Sequence, residues 1–338
     1  MKITYAPMEG ITNVYYRRLH RELFGGIDHY YTPFISVFSD HNIKKRDQRE
    51  VDPENNKGQD LIPQLLTNSA PDLVWAFHYL RDMGYEEINL NLGCPSGTVT
   101  AKKKGSGFLR DTAALKNFFD EVFDCLGDEG ELLSVKTRIG INSPDEMEAI
   151  SEVYKLYPIR ELIIHPRVQK QFYKGLPDMT AFRKAYEISP SKVAYNGNIF
   201  NTDDYAKVVE AFGQGEDSKL SSVMLGRGIV ADPSLARQIK GGEIINKDEF
   251  RFFLTELEAI YRQELRTDKN VFFKMKELWS YMSGCFEGSD KYLKSMLKAK
   301  DWTSFKAGER ALMDCCRIRA LEGGLEDVNI KKIADEWG

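Results

Sequence analysis

Apolar runs of four to seven residues recur along the first 240 positions, each ending in a polar residue or a Gly/Pro turn. They are Ile3–Ala6, His29–Ile35, Leu61–Leu66, Glu87–Leu92, Leu132–Arg138, Glu161–His165, Lys192–Asn196 and Ser222–Gly226. Most start roughly 30 residues apart, the length of one strand-plus-helix unit. The segments between them carry helix signals. Thr12 can cap a helix through Leu23, and Ser69 precedes a run through Met83 that stops at Gly84. Ser143-Pro144 puts proline at a first helical position with acids behind it, and Asn201-Thr202-Asp203 and Asp232-Pro233 repeat the pattern. Eight alternating units predict an α/β fold, a (β/α)₈ TIM barrel. An open doubly wound sheet would need a Gly-rich phosphate loop after its first strand, and Ala6-Pro7-Met8-Glu9-Gly10 is not one.

Past about residue 245 the strand signal stops. Helical spacing covers Asp248–Arg266, Val271–Ser283, Asp290–Lys298 and Trp302–Ala320, with Gly284, Gly288 and Gly323-Gly324 as punctuation. The expected organisation is a catalytic barrel over 1–243 and a small all-helical domain over 244–338.

Composition adds bounds. The 338 residues are 42% hydrophobic and 29% charged, which is ordinary for a globular protein with a full core. A net charge of -4 excludes a global pull toward polyanions, so nucleic-acid binding would need a local basic patch. The five cysteines form no CxxC and no paired Cys/His spacing, so no metal site is expected and a reducing compartment is. With no basic-plus-apolar leader and no long apolar run, the expected location is cytoplasmic.

In a barrel the reaction site lies at the C-terminal ends of the strands. Those ends supply Pro7, Met8 and Glu9, then Gln64, then Asn91 and Cys94, then Lys136 and Arg138. The last three ends add His165 and Arg167, Asn196-Gly197-Asn198, and Gly226-Arg227-Gly228. Alternation in Ser134-Val135-Lys136-Thr137-Arg138 sends both cations to one face, toward an anion or an electron-rich ring. Glycines after the last two strands let backbone N–H groups approach an anion. Together these suggest a phosphorylated cofactor with an aromatic head, addressed by Gln64 and Lys136. The run Lys102-Lys103-Lys104 follows Cys94 in a stretch rich in Gly, Ser and Thr. A mobile basic loop beside a thiol suits a polyanionic substrate.

At this point a resemblance is specific. Asn91-Leu92-Gly93-Cys94-Pro95 with Lys104-Gly105-Ser106-Gly107-Phe108-Leu109 resembles the dihydrouridine synthases. Ala6-Pro7-Met8-Glu9-Gly10-Ile11-Thr12, Lys136-Thr137-Arg138, Asn196-Gly197 and Val223-Met224-Leu225-Gly226-Arg227-Gly228 follow in the right order, and Lys274–Tyr281 is a weaker match in the helical part. The resemblance implies an FMN-containing barrel that uses NADPH to reduce the C5–C6 bond of uridine in RNA, usually tRNA, with rRNA as the other substrate. It implies Cys94 as proton donor to C5 and hydride delivery to C6. FMN would contact Pro7, Met8, Glu9, Gln64, Lys136, His165, Asn196, Gly197, Asn198, Gly226 and Arg227. Asn91 and Arg138 would lie near the uracil, and Lys102, Lys103, Lys104 and Arg167 would serve the RNA. Two positions depart from the family pattern: Pro166 follows His165, and Asn198 stands where an acid is usual. Two other readings remain at this stage: an FMN barrel acting on a small molecule, and an RNA-binding barrel without catalysis.

Overall fold

The computed structural model describes residues 1–265 and 267–325. Every strand pair is parallel, and the ring closes. The first strand, Lys2–Tyr5, pairs with the last, Leu220–Leu225, and with the second. Two strand positions are broken. The second consists of His29–Tyr31 and Ile35–Ser36, and the third of Leu61–Ile62 and Gln64–Leu66. Tyr30 pairs with Leu61 and Ile35 with Leu65, so each half of one meets a half of the other. Proline causes both breaks. Pro33 and Pro63 have no N–H to give to the ladder. Thr32 spans the gap instead: its N–H donates to the Ile62 carbonyl, and its Oγ1 accepts from Gln64 N at 2.9 Å. The ring continues through Ile88–Leu92, Leu133–Arg138, Glu161–His165 and Lys192–Tyr195. The eight expected strand positions are therefore all present.

The interior of the ring has two halves. Ala6, Tyr31, Ile62, Ile163, Ala194 and Met224 form a small apolar plug. Gln64, Asn89, Asn91, Ser134 and Lys136 share the inside face on strands three to five, in the register Asn89↔Ser134 and Asn91↔Lys136. The larger apolar core lies outside the ring, between strands and helices. Helix ends follow local chemistry. Asn13, rather than Thr12, caps Val14–Leu23, because Thr12 Oγ1 accepts the Met8 N–H instead. The helix after Ser143-Pro144 begins at Glu146. Its carboxylate first accepts the N–H groups of Ile141, Asn142 and Ser143.

After two short helices, Arg227–Ala231 and Leu235–Ile239, four longer ones follow among the described residues: Lys247–Glu264, Asp268–Met282, Asp290–Lys298 and Trp302–Cys315. The first of the four lays Phe253 edge-on against Tyr16 and Phe24 of the barrel, at 5.5 and 5.2 Å between ring centres. Lys274 donates to the Gly10 carbonyl in the loop after the first strand. The last helix ends five residues before the expected Ala320, because Ile318 pairs with Phe286 and Arg319 N donates to the Cys285 carbonyl. The part of the expected helical domain beyond 325 lies outside the described residues. Among the described residues, no helix is long and apolar enough to cross a membrane.

Candidate active site

One cleft opens at the C-terminal end of the ring, enclosing about 830 Å³ of empty space that is partly open to solvent. Fourteen of the residues singled out from the strand ends line it: Pro7, Met8, Glu9, Gln64, Asn91, Cys94, Lys136, Arg138, His165, Arg167, Asn196, Gly197, Gly226 and Arg227. Lys102, Lys103 and Lys104 are not among the lining residues. They form a turn after the short helix Gly97–Thr100, held by the Lys102 carbonyl accepting from Asn68 Nδ2. Just past them the chain folds back onto the thiol's own backbone. Ser106 N and Oγ both donate to the Cys94 carbonyl, at 3.1 and 2.9 Å. Gly105 makes this approach possible; a Cβ there would lie 2.8 Å from the same oxygen.

Asn91 fixes the turn that carries the thiol. Its Oδ1 accepts the N–H groups of Gly93 and Cys94, at 3.0 and 2.9 Å, and its Nδ2 donates to Gln64 Oε1 at 2.7 Å. Burial pushes the Cys94 thiol above its ordinary range, with the Ser96 N–H and the Arg138 charge opposing. The group facing the cleft is thus a protonated thiol at neutral pH.

The electrostatics are one-sided. Lys136, Arg138, Arg167 and Arg227 line the cleft with a single carboxylate, Glu9, whose own pKa burial raises. Burial, helped by Arg138, brings the Lys136 ammonium down to about 7, and no hydrogen bond or ion pair engages it among the described residues. Arg138 and Arg167 are each lowered to about 10, again chiefly by burial. Arg167 and Arg227 place Nη2 atoms 2.9 and 2.7 Å from one oxygen, Asn198 Oδ1. At an effective dielectric near 20, two cations this close repel by roughly 3 kcal/mol. Arg167 Nε has no hydrogen-bond partner. An uncompensated cationic cleft with an orphaned buried donor fits an anionic group with an electron-rich ring. His165 is neutral: burial and the surrounding cations hold its pKa well below 6.5. Its Nε2 lies 3.0 Å from Arg167 Nη1, which can only donate, so the imidazole proton is on Nδ1.

Two of the expected residues are tied to the protein's own groups. Arg138 lines the cleft, but its donors go to three carbonyls: Gly93, Val168 and Phe172, at 2.9, 3.0 and 2.8 Å. It clamps the loop after strand six to the thiol loop. Asn198 lies behind the lining, beneath the two arginines. Sequence reasoning missed Tyr173 and Phe34, which also line the cleft. Tyr173 is half exposed, with the Arg227 and Arg138 guanidinium carbons 4.8 and 5.7 Å from its ring centre. Nothing in the stretch Val168–Gly175 marks this tyrosine, whereas the proline break before Phe34 was a usable signal.

Comparison with known proteins points to one family. The family model described as "Dihydrouridine synthase (Dus)" matches residues 4–315. A protein named tRNA-dihydrouridine(16) synthase from Pseudomonas syringae pv. tomato is 26% identical over 254 residues, covering 72% of this chain and 78% of that protein. One of the same name from Pseudomonas putida is 29% identical over 245 residues, covering 71% and 73%. Another from Neisseria meningitidis serogroup A is 25% identical over 313 residues, covering 89% and 91%.

Proposed function

Because the chain belongs to the dihydrouridine synthase family, we propose that it reduces the C5–C6 double bond of a uridine in tRNA, with FMN as resident cofactor and NADPH as reductant. The observation that carries this reading is a half-buried, protonated thiol and an unpaired lysine on the walls of one cationic cleft. FMN, once reduced, would supply the hydride for C6. Pro7, Met8, Gln64 and Lys136 would hold its ring, and Asn196, Gly197, Gly226 and Arg227 its phosphate end.

The chain's own residues do the rest. Cys94 donates its proton to C5. A neutral thiol suits this, because the acid must still carry its proton at working pH. Asn91 sets the position of Cys94 through the two N–H groups it holds. Lys136 presents a cation where negative charge would grow on the ring, and binding of that charge raises its pKa from about 7. Tyr173 at the rim offers a face on which a base drawn out of the RNA stacks, offsetting an unstacking cost of a few kcal/mol. Lys102–Lys104 and the helical region from 244 onward would meet RNA phosphates; the former lie on the loop bonded to the thiol's carbonyl.

The test is purification followed by flavin spectroscopy, together with mass-spectrometric mapping of dihydrouridine in tRNA from cells lacking the gene. The names of the three relatives direct the mapping to position 16 first. Purified protein without flavin, unable to take up FMN, and an unchanged dihydrouridine map would sink the reading. Turnover of free uracil or an enone without RNA would favour a small-molecule substrate instead.

A further inference from the structure

The last described residues return to the active-site end of the ring. After Ile318 and Arg319 join the Phe286 and Cys285 backbone, the Leu321 carbonyl accepts from Asn201 Nδ2 at 3.2 Å. The Gly324 N–H reaches both carboxylate oxygens of buried Asp204, at 3.0 and 2.8 Å, and the Leu325 N–H reaches one of them at 3.1 Å. Gly324 then passes its carbonyl to Asn198, whose Nδ2 donates to it at 3.0 Å. The fit requires glycine. A Cβ on Gly324 would lie 2.4 Å from Phe200 Cδ2 and 2.7 Å from Asn198 Cβ.

Asn198 faces two ways. Its nitrogen serves the C-terminal segment; its oxygen takes the Nη2 groups of Arg167 and Arg227. Arginine only donates and a carbonyl only accepts, so the amide has one orientation. A carboxylate could not donate to Gly324, and an apolar residue could not hold either arginine. Arg227 lines the cleft and has no hydrogen-bond partner other than Asn198 among the described residues, and Arg167 Nε is unpaired.

We propose that the segment Ile318–Leu325 is a positioning element of the active site. Through Asn198 it fixes how Arg167 and Arg227 present their free donors, and so how tightly the cleft holds a phosphate monoester on its cofactor. The inference rests on the flavin reading above and adds to it: part of the cofactor's phosphate recognition is set by backbone 126 residues away in the chain from Asn198.

The test compares FMN with riboflavin, which lacks the phosphate, by flavin fluorescence titration of the full-length apoprotein. The readout is the ratio of the two dissociation constants. Wild type should bind FMN at least tenfold more tightly. Gly324→Val should cut that preference about tenfold while riboflavin affinity stays. Gly324→Ala, with one methyl in the same gap, should cut it less and is the variant to read if the valine protein is insoluble. Asn198→Leu should match Gly324→Val, and the double variant should lose no more than either alone, because both act through one contact. An unchanged ratio in the Gly324 and Asn198 variants overturns the proposal and leaves the flavin reading standing, as does a wild type that binds both flavins equally. A wild type that binds neither flavin overturns both.

Discussion

Lys136→Met should stabilise the cofactor-free protein while destroying its flavin binding, and the two effects separate a functional cation from a structural one. The lysine lies among cations. Its folded-state pKa of about 7 compares with 10.5 for an ordinary lysine. At low pH both folded and unfolded chains are charged there, and the folded state bears the full cost of a buried ammonium. One pKa unit is about 1.4 kcal/mol, so the shift bounds that cost at roughly 5 kcal/mol. Lys136 lines a partly open cleft and is only partly buried, so a realistic figure is on the order of 2 kcal/mol. Between pH 7 and 10.5 the unfolded chain holds one more proton than the folded one, so stability rises with pH across this window. Methionine keeps the unbranched shape and removes the charge. At pH 6 the variant should melt higher by about 4 °C, since 1 kcal/mol is worth ~2 °C in a chain of this size. By pH 9 only about 1.5 of the 3.5 pH units between the two pKa values remain, so the difference should have shrunk to about 2 °C, and it should vanish above pH 10.5. Thermal melts of the apoprotein at pH 6, 7, 8 and 9 measure this directly. A variant that melts at or below wild type at pH 6, with the same dependence on pH, would refute the reasoning.

Cys94→Ala should retain flavin and tRNA binding and lose turnover by about 10²–10⁴-fold, measured as single-turnover dihydrouridine formation; turnover above a tenth of wild type removes the thiol from its role. Because burial raises the Cys94 pKa, wild-type turnover should fall only as pH rises past the ordinary thiol range, not near pH 8. Replacing Lys102, Lys103 and Lys104 together with alanine should leave flavin reduction by NADPH unchanged. It should flatten the salt dependence of tRNA binding by up to about two to three units of log–log slope; an unaltered slope would place the RNA elsewhere. Gly228→Ala would set a Cβ 1.9 Å from the Ile199 carbonyl and should cost on the order of 3 kcal/mol or more in urea melts. Gly97→Ala, with nothing within 4 Å, should cost less than about 0.5 kcal/mol.

What could be read from the chain was whatever a local period encodes. Alternation placed Lys136 and Arg138 on the inside face, and the structure puts them there beside Ser134. His29–Ile35 and Leu61–Leu66 were read as unbroken runs, although Pro33 and Pro63 mark the breaks, because a ring strand needs the N–H that proline lacks. Partnership was not legible. Nothing in Lys136-Thr137-Arg138 says that one cation is free while the other ties down three carbonyls. The end of the last helix was misjudged because Gly323-Gly324 looked like its stop signal, whereas pairing of Ile318 with Phe286 pulled the chain away earlier. Those glycines serve instead where the chain returns to Asp204 and Asn198.

The polar strand ends read singly from the sequence are one device in the structure. Gly93 and Cys94 N–H groups donate to Asn91 Oδ1, and Asn91 Nδ2 to Gln64 Oε1. Gln64 Nε2 then donates to Asn89 Oδ1, and Asn89 Nδ2 to Ser134 Oγ at 2.9 Å. Each amide accepts on oxygen and donates from nitrogen in the same direction. Flipping any one would face donor against donor in a buried place, at a cost of about 1–3 kcal/mol for each unmet group. The relay crosses strands three, four and five and ends beside Lys136, two residues along from Ser134 on the same face. The thiol is therefore held by the ring itself, not by its turn alone, and in fixed relation to the lysine that faces the same cleft. Such a relay costs apolar core: the plug of Ala6, Tyr31, Ile62, Ile163, Ala194 and Met224 fills only part of the interior. A barrel selected for stability alone would have filled that half with branched aliphatic side chains, so its polarity is better explained by the placement of Cys94 than by folding.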